Sequence, residues 1–415
     1  MEPIFVSIDI DAFYCAVEER RDPSLKGEPF IIAQKHCAAT VSYAARKMGL
    51  GKLQSVPEVT KRFPHIKIIN GEDLSGYRAA GLEIFCWLAD RFAAIERLGL
   101  EEFRFEISKE VDIAHSKVSR LFKIRRIPDE VDGICFDVGK LHVDCPNFFF
   151  EYDGKSFPPD CTSFESNVSP RFYLAGLFAE SLRDQISAVL GFSCSIGISC
   201  SKHVAKMATS MNKPHGVSVV MPGYEGAFLA TRPLASVPGI GHSARNILDK
   251  YGINSEIDTV ERLLSTITRE QFCTHLDPEL WNLLNGVDHS IVTAWEGPSQ
   301  ISKEETFMPF IATENCYVHV QRLVTSLIAQ AEVEITYHQA WIYKPAKFRV
   351  SASSLNNYSA GRKSKSIPLQ VGRELDSNKL GKYLIKQGYQ MLIDLTKEPI
   401  RVLNVALLLE KSRAS

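Results

Sequence analysis

The stretch "SIDIDAFYCAVEE", residues 7–19, decides the fold of the N-terminal part of the chain. Apolar and polar residues alternate through "IFVSIDID", which predicts a strand, and "AFYCAVEERRD" predicts a helix that begins near Ala12. Strand interiors disfavour aspartate. A carboxylate out of water is costly unless a cation or a hydrogen-bond donor compensates it. Asp9 and Asp11 therefore raise the question of what they face.

The composition is that of an ordinary folded protein. The 415 residues are enough for two to four domains, and 45% are hydrophobic and 23% charged. No apolar run reaches the length of a membrane span and the N-terminus does not read as a signal peptide, so we expect no membrane partner. The ten cysteines form no CxxC pairs and have no histidines at zinc spacing, which predicts reduced thiols and an intracellular protein.

The net charge of −1 hides an uneven distribution. Residues 301–415 carry 16 Lys and Arg against 10 Asp and Glu, a net of about +6, so residues 1–300 carry about −7. A basic C-terminal module behind an acidic body is typical of a protein that binds a polyanion. On charge alone, a solvated basic face explains the same numbers equally well.

Helical and strand patterns alternate along the chain, which predicts a mixed α/β protein. The run "LSGYRAAGLEIFCWLADRFAAIERLG", residues 74–99, predicts one long helix, and "LEEFRFEIS" from Leu100 predicts a strand. Residues 108–168 are rich in Asp, Pro, Phe and Cys, and we expect an irregular insertion there. From residue 303 the pattern predicts a strand, a helix, strands, a helix and a final strand.

Acidic residues are candidates for a metal site. Asp9 ends the first predicted strand, and Glu101 and Glu102 lie on the strand that begins at Leu100. If these strands are neighbours in one sheet, the carboxylates converge, and oxygen-only ligands suit Mg²⁺ or Mn²⁺. Two such ions can clamp the attacking and leaving oxygens of a phosphoryl transfer. Solvated acids at strand ends remain the alternative.

Cations occur at spacings that suit phosphate groups. Tyr43 and Arg46 are three apart on one helical face, Lys202 and Lys206 are four apart, and Lys213 follows in "NKPHG". Charge-assisted donors of this kind bind phosphate oxygens strongly. Each lysine taken alone is equally compatible with a solvated surface position.

A glycine-rich turn, "VPGIG" at residues 237–241, lies between predicted short helices. Such a turn exposes backbone N–H groups that can bind a phosphate. A plain turn between helices would have the same sequence.

Taken in order, these motifs resemble the Y-family translesion DNA polymerases. The likeness is carried by "DIDAFYCAVEE", "SYAARKMGL", "GISCSKHVAKMATSMNKPHG", "VPGIG" and "KEETF", which extend over nearly the whole chain. It implies a right-hand fold with a ferredoxin-like palm, fingers, a helical thumb with a helix-hairpin-helix and an α/β little finger. The implied domains are the palm at 1–20 and 76–222, the fingers at 21–75, the thumb at 223–296 and the little finger at 303–411.

The resemblance also implies roles for individual residues in a low-fidelity, template-directed DNA polymerase. It implies catalytic and metal-binding roles, with two Mg²⁺ or Mn²⁺ ions, for Asp9, Glu101, Glu102 and the carbonyl of Ile10. It implies nucleotide contacts at Tyr14, as the steric gate against ribose, and at Thr40, Tyr43, Arg46 and Lys213. It implies contacts to the template base at Gln34, Lys35 and Cys37. The DNA contacts that we expect are Gly239, Gly241, Lys344, Lys347, Arg349, Arg362, Lys363 and Lys365.

The expected partners follow from the same resemblance. They are primer–template DNA, a deoxynucleoside triphosphate, a sliding clamp and other translesion factors, for a monomer in the nucleus. "AQKHCAATVSYAARKMGLGKL", "INGEDLSGYR" and "IERLGLEEF" are similar to one branch of the family, which holds a template purine in the syn conformation and so favours Hoogsteen pairing.

The sequence departs from the family pattern at several positions, and two of them bear on catalysis and on the template pocket. Glu101 stands where the family usually has aspartate, and its extra methylene displaces a carboxylate that Mg²⁺ needs in near-octahedral geometry. Cys37 is smaller than the apolar residue of the similar branch, which puts a narrow template pocket in doubt. The alternative hypothesis is therefore a DNA-binding scaffold with weakened catalysis. Nucleotidyl cyclases share the first motif but would not explain "VPGIG" or the basic C-terminal segment.

Overall fold

The computed structural model describes residues 2–124, 141–145, 148–152, 170–337, 341–354, 362–369 and 377–413. The chain divides into two compact units, Met1–Trp295 and Glu296–Ser415. Each combines sheets with helices, so the mixed α/β class expected from the sequence is confirmed.

The first unit contains ten strands and twelve helices among its described residues. The strands are β1 (Phe5–Ile10), β2 (Phe30–Gln34), β3 (Cys37–Val41), β4 (Lys67–Asn70), β5 (Ile95–Leu98), β6 (Glu102–Glu106), β7 (Leu141–Cys145), β8 (Phe148–Tyr152), β9 (Cys194–Ser199) and β10 (Val217–Val219). The helices are α1 (Phe13–Arg21), α2 (Tyr43–Lys47), α3 (Val56–Arg62), α4 (Ser75–Ala89), α5 (Ser108–Ile124), α6 (Pro170–Leu190), α7 (Lys202–Ala208), α8 (Glu225–Ala230), α9 (His242–Leu248), α10 (Val260–Thr266), α11 (Arg269–Cys273) and α12 (Pro278–Leu284).

A five-stranded sheet with the order β10-β9-β1-β6-β5 forms the centre of the first unit. The strand β1 lies in its middle and runs antiparallel to both β6 and β9. Five of the six residues of β1 are buried, and Asp9 is the exception. The apolar residues expected from the alternation join a core that includes Phe103, Phe105 and Ile196.

Two smaller sheets and a helical region complete the first unit. The three-stranded sheet β3-β2-β4 pairs β2 with β3 antiparallel and with β4 parallel, and β7 pairs with β8. The short helices α8 to α12 share a separate core around Leu234, Leu248 and Phe272. The expected short helices around "VPGIG" are therefore confirmed.

Two predictions about the first unit are wrong. The long helix expected over residues 74–99 ends at Ala89, and Ile95–Leu98 forms β5. Pairing of Ile95 with Phe105 in the sheet core outweighs the helix propensity of this segment. The segment Ser108–Ile124 was expected to be irregular, but it is a helix that buries Val111. Much of the remaining insertion lies outside the described residues.

The second unit is a four-stranded sheet covered by two helices. Its elements are β11 (Gln300–Ile311), α13 (Tyr317–Tyr337), β12 (Trp341–Ser354), β13 (Lys363–Pro368), α14 (Ser377–Leu395) and β14 (Ile400–Arg413), and the strand order is β11-β14-β12-β13. Phe348 and Val350 lie in one core with residues of α13 and α14. This order of strands and helices is the one predicted from residue 303 onward.

No helix among the described residues is both long enough and apolar enough to span a membrane.

Candidate active site

The register of the central sheet brings the predicted acids together. Asp9 of β1 is directly opposite Glu102 of β6, and the N–H of Ile10 donates to the carbonyl of Glu101 at 3.1 Å. The condition set in the sequence analysis, that these two strands are neighbours, is therefore met. Like charges directly opposite each other on a sheet are destabilising, so the site needs cations nearby.

Lysine side chains supply two of those cations. Lys213 donates to Asp9 Oδ1, and Lys206 on α7 donates to Glu102 Oε2. The four side chains are each about one quarter exposed. Partial burial shields these pairs from solvent, which makes them stronger than ion pairs at the open surface.

A small pocket of about 160 Å³ opens at this point. It is lined by three acids and three cations together with five other residues, and so carries no net formal charge. The acids are Asp9, Glu101 and Glu102, the cations are Arg46, Lys52 and Lys213, and the others are Ile10, Ala12, Phe13, Thr40 and Tyr43.

Asp11 has a different role from Asp9. It is only 3% exposed. Its carboxylate accepts hydrogen bonds from the hydroxyls of Ser193 and Ser195 and from the N–H of His215, each at 2.8 Å. Hydrogen bonds of this kind satisfy a buried carboxylate. Asp11 therefore holds the loop after Lys213 against the sheet, which answers for this acid the question raised by the sequence.

Tyr43 and Arg46 lie on one face of α2, as their spacing predicted. The Arg46 guanidinium lies over the Tyr43 ring, 4.6 Å from its centroid, and Arg46 Nε donates to the carbonyl of Val41 at 3.0 Å. Burial, followed by the nearby charge of Asp11, raises the pKa of Tyr43 to about 12, so its hydroxyl remains a proton donor at neutral pH.

Glu101 is a half-buried acid of the pocket. Burial and then the charge of Asp9 raise the pKa of Glu101, while Lys52 opposes this rise. Desolvation and a like charge both disfavour the ionised form, so a nearby cation favours the charged carboxylate. Its environment is consistent with a ligand position despite its longer side chain.

The donor set fits a hard divalent cation in kind. Asp9, Glu101 and Glu102 offer carboxylate oxygens, the ligands that Mg²⁺ and Mn²⁺ prefer. Among the described residues, however, no three acidic, histidine or cysteine side chains are arranged so as to hold a metal ion. In this arrangement Asp9 and Glu102 have lysine ammonium groups as their cationic partners.

The predicted steric gate and template residues lie beside the pocket rather than in its lining. Tyr14 stacks on Tyr77 with ring centroids 4.4 Å apart, and burial raises its pKa. Gln34 donates to the carbonyl of Gly71 at 2.9 Å, and it pairs across the turn between β2 and β3 with Cys37. Lys35 lies in that turn with a positive φ of 54°. Their roles stay predictions.

The "VPGIG" segment forms a turn before α9, and its backbone conformation requires glycine at one position. Gly239 adopts a φ of 97°, which strains any residue with a side chain, and Gly241 is the N-cap of α9. A Cβ added at Gly239 would lie 3.0 Å from the side chain of Leu280. The turn therefore suits glycine for reasons of its own fold, and its DNA contact stays a prediction.

The basic residues predicted to contact DNA in the second unit do not share one face. Arg349 is opposite Ser366 in the register, whereas Lys365 is opposite the core residue Val350. Since side chains alternate along a strand, Lys347 and Arg349 lie on the face away from the helices, and Lys363 and Lys365 belong to the other.

Two of the predicted DNA-binding residues, Lys365 and Arg362, have acidic partners in the second unit. Lys365 Nζ donates to Asp394 of α14 at 2.6 Å, and Arg362 donates to Glu304 at 2.5 Å. The Lys344 side chain lies outside the described residues. All of these DNA contacts stay predictions.

Sequence reasoning missed three features of the site. Lys52 lines the pocket, Lys206 binds a site carboxylate, and Ser193 and Ser195 hold Asp11. The spacing of Lys202 and Lys206 singled out Lys206, but as a phosphate ligand. No local pattern marks Lys52 or the serines, because tertiary contacts bring them to the site.

Comparison with known proteins shows which proteins the chain is similar to. The model of the impB/mucB/samB family matches residues 8–210, just under half of the chain. The chain is 26% identical over 328 residues to mouse DNA polymerase iota, across 79% of this chain and 42% of that protein. These similarities are to DNA polymerases, and they support the Y-family resemblance seen in the sequence.

Two other relatives match different fractions of this chain. DNA polymerase IV of Pseudomonas fluorescens is 24% identical over 415 residues, across 98% of this chain and 95% of that protein. DNA polymerase eta of Arabidopsis thaliana is 26% identical over 323 residues, across 73% of this chain and 46% of that protein. The chain spans only about two fifths of the length of the polymerase iota relatives that it matches. The branch whose stretches the sequence resembles is polymerase iota.

Proposed function

We propose that this chain is a Y-family, template-directed DNA polymerase that adds deoxynucleotides to a primer and bypasses damaged bases. The observation that carries the proposal is the register that places Asp9 opposite Glu102, beside Glu101 and next to Lys213, Tyr43 and Arg46. Acids on one side and phosphate-binding cations on the other are what a nucleotidyl transfer needs.

The proposed division of labour assigns each side of the pocket its own task. Asp9, Glu101, Glu102 and the Ile10 carbonyl would hold two divalent cations, Mg²⁺ or Mn²⁺, which supply positive charge for the attacking and leaving oxygens. Tyr43 and Arg46 would donate to the triphosphate, with Lys213 and Thr40 beside them. Tyr14 would exclude a ribose 2′-hydroxyl by its ring.

The domain assignment is part of the same proposal. Residues 1–20 and 76–222 would form the palm, 21–75 the fingers, 223–296 the thumb and 303–411 the little finger. Gly239 and Gly241 would contact DNA phosphates, and the open sheet face with Lys347 and Arg349 would contact DNA in the second unit. Nuclear localisation and a clamp partner stay predictions from the resemblance, and the relatives include bacterial proteins.

An active polymerase is favoured over a DNA-binding scaffold because the relatives are named as DNA polymerases. Primer extension by the full chain, in Mg²⁺ and separately in Mn²⁺, tests this directly. We expect template-directed extension with both ions. A chain that binds primer–template yet extends it with neither ion would instead be the scaffold.

A further inference from the structure

Lys206 has a position that neither the phosphate spacing nor the polymerase proposal explains. Its ammonium group donates to Glu102 Oε2, the carboxylate opposite Asp9 in the sheet. Lys213, the other lysine at the acids, has a triphosphate to bind in the proposed function. Lys206 has no such second task, and it is absent from the pocket lining.

The helix that carries Lys206 is held firmly in place. One turn earlier, Lys202 donates to Glu96 Oε1 at 2.6 Å and to the carbonyl of Ile291 at 2.5 Å. The next residue, His203, donates its N–H to Asp288 Oδ2 at 3.0 Å. These contacts fix the start of α7 on the edge of the sheet, so the reach of Lys206 to Glu102 is set by the fold rather than by a free side chain.

An ammonium group and a divalent cation compete for the same carboxylate. Both need the oxygens of Glu102, and their like charges repel each other at close range. The lysine also neutralises Glu102 before any metal arrives, which removes part of the attraction that the acidic cluster would exert. A metal ion at Glu102 therefore binds against the repulsion of Lys206, or displaces the lysine from Oε2.

We propose that Lys206 is a positioning residue that competes with the divalent cation for Glu102 and so weakens metal binding in the absence of nucleotide. This inference rests on the proposed metal site. Its consequence is that metal and nucleoside triphosphate bind together, because the phosphates add the negative charge that offsets the displaced lysine. Removing the lysine should strengthen metal binding, whereas the loss of a purely structural lysine would weaken it.

The inference is tested by measuring Mn²⁺ binding to the full chain, in the absence of DNA, with electron paramagnetic resonance. We expect Lys206→Met to lower the Mn²⁺ dissociation constant about tenfold, since single and double charges roughly 6 Å apart repel to this extent even at the dielectric constant of water. Lys206→Arg keeps the charge and should stay near wild type. The matched control is Lys250→Met, which removes an exposed lysine in the helical region.

A second readout measures the coupling directly. Adding a deoxynucleoside triphosphate should increase the affinity of the wild type for Mn²⁺ by more than the free nucleotide's own affinity for Mn²⁺ accounts for. The factor by which the nucleotide increases the Mn²⁺ affinity should be smaller in Lys206→Met. Lys206→Gln replaces the methionine variant if circular dichroism shows that the latter does not fold, and the same gain in affinity is expected.

Unchanged or weaker Mn²⁺ binding in a folded Lys206→Met chain would overturn the inference alone. The proposed metal site is tested separately by Asp9→Ala with the deoxynucleoside triphosphate present, which should abolish the Mn²⁺ binding that exceeds that of the free nucleotide. If Asp9→Ala then binds Mn²⁺ like the wild type, or the wild type shows no binding beyond the free nucleotide, both the site and the inference are wrong.

Discussion

Replacing Asp11 with alanine should destabilise the first unit far more than replacing Asp9. Asp11 accepts hydrogen bonds from Ser193 Oγ, Ser195 Oγ and the His215 N–H, each 2.8 Å long. Removing the carboxylate leaves these three donors, and the Tyr43 hydroxyl at 3.4 Å, without their acceptor at a site that is only 3% exposed. A net cost of about 1–2 kcal/mol for each of the three short bonds predicts a loss of about 3–6 kcal/mol in the free energy of unfolding.

Asp9 provides the contrast within the same strand. Its side chain is 23% exposed, and its partner Lys213 can return to solvent when the carboxylate is removed. The expected loss for Asp9→Ala is therefore below about 1 kcal/mol. Both variants replace an aspartate with alanine, at positions two residues apart in the chain. They are therefore matched in chemistry and differ in the burial of the carboxylate that is removed.

Urea unfolding of both variants, in a buffer without divalent cations, measures the difference. Ser193→Ala and Ser195→Ala should each cost about 1 kcal/mol, as single hydrogen bonds to the carboxylate. The reasoning fails if Asp11→Ala loses less than about 1 kcal/mol, or if Asp9→Ala loses as much as Asp11→Ala.

Three further predictions concern pH, sugar selection and DNA binding. Burial lowers the pKa of His203 from an ordinary 6.5 to about 4. The unfolded chain therefore binds the proton more readily than the folded chain, and stability is lost as the pH falls from 6.5 to about 4. His203→Asn should reduce this loss of stability, measured by urea unfolding at pH 7 and at pH 5. Tyr14→Ala should admit ribonucleotides, and single-nucleotide incorporation that still rejects them would show that another side chain is the gate. The double change of Lys347 and Arg349 to Gln should reduce the slope of log Kd against log salt by up to about 1.8 for duplex DNA, whereas Lys397→Gln should leave it unchanged.

The sequence predicted the elements of the site better than their contacts. The alternation in "IFVSIDID" predicted β1, and "LEEFRFEIS" predicted β6, because strand periodicity is a local property. Their pairing was only a condition in the sequence analysis, and the structure supplies it and places Asp9 opposite Glu102. The contacts of the lysines with these acids were not predicted, because their reach depends on how α7 and the loop after it pack against the sheet.

The wrong predictions have similar physical causes. "AAIERLG" consists largely of good helix formers, yet Ile95 is buried against Phe105 and the segment pairs as β5. Ser108–Ile124 was obscured by the acidic and aromatic residues that follow it. Lys363 and Lys365 were grouped with Arg349 by charge, but the period of two along paired strands separates their faces.

The most direct test of the proposed function is nucleotide incorporation by the wild-type chain and by Asp9→Ala, with the dissociation constant for primer–template DNA measured on the same preparations. We expect the variant to lose incorporation by at least about a thousandfold, since two divalent cations would share Asp9, while its DNA affinity stays within about twofold because DNA is held mainly through its phosphates. Incorporation by Asp9→Ala near the wild-type rate, with DNA binding intact, would contradict the assignment of this carboxylate cluster as the active site.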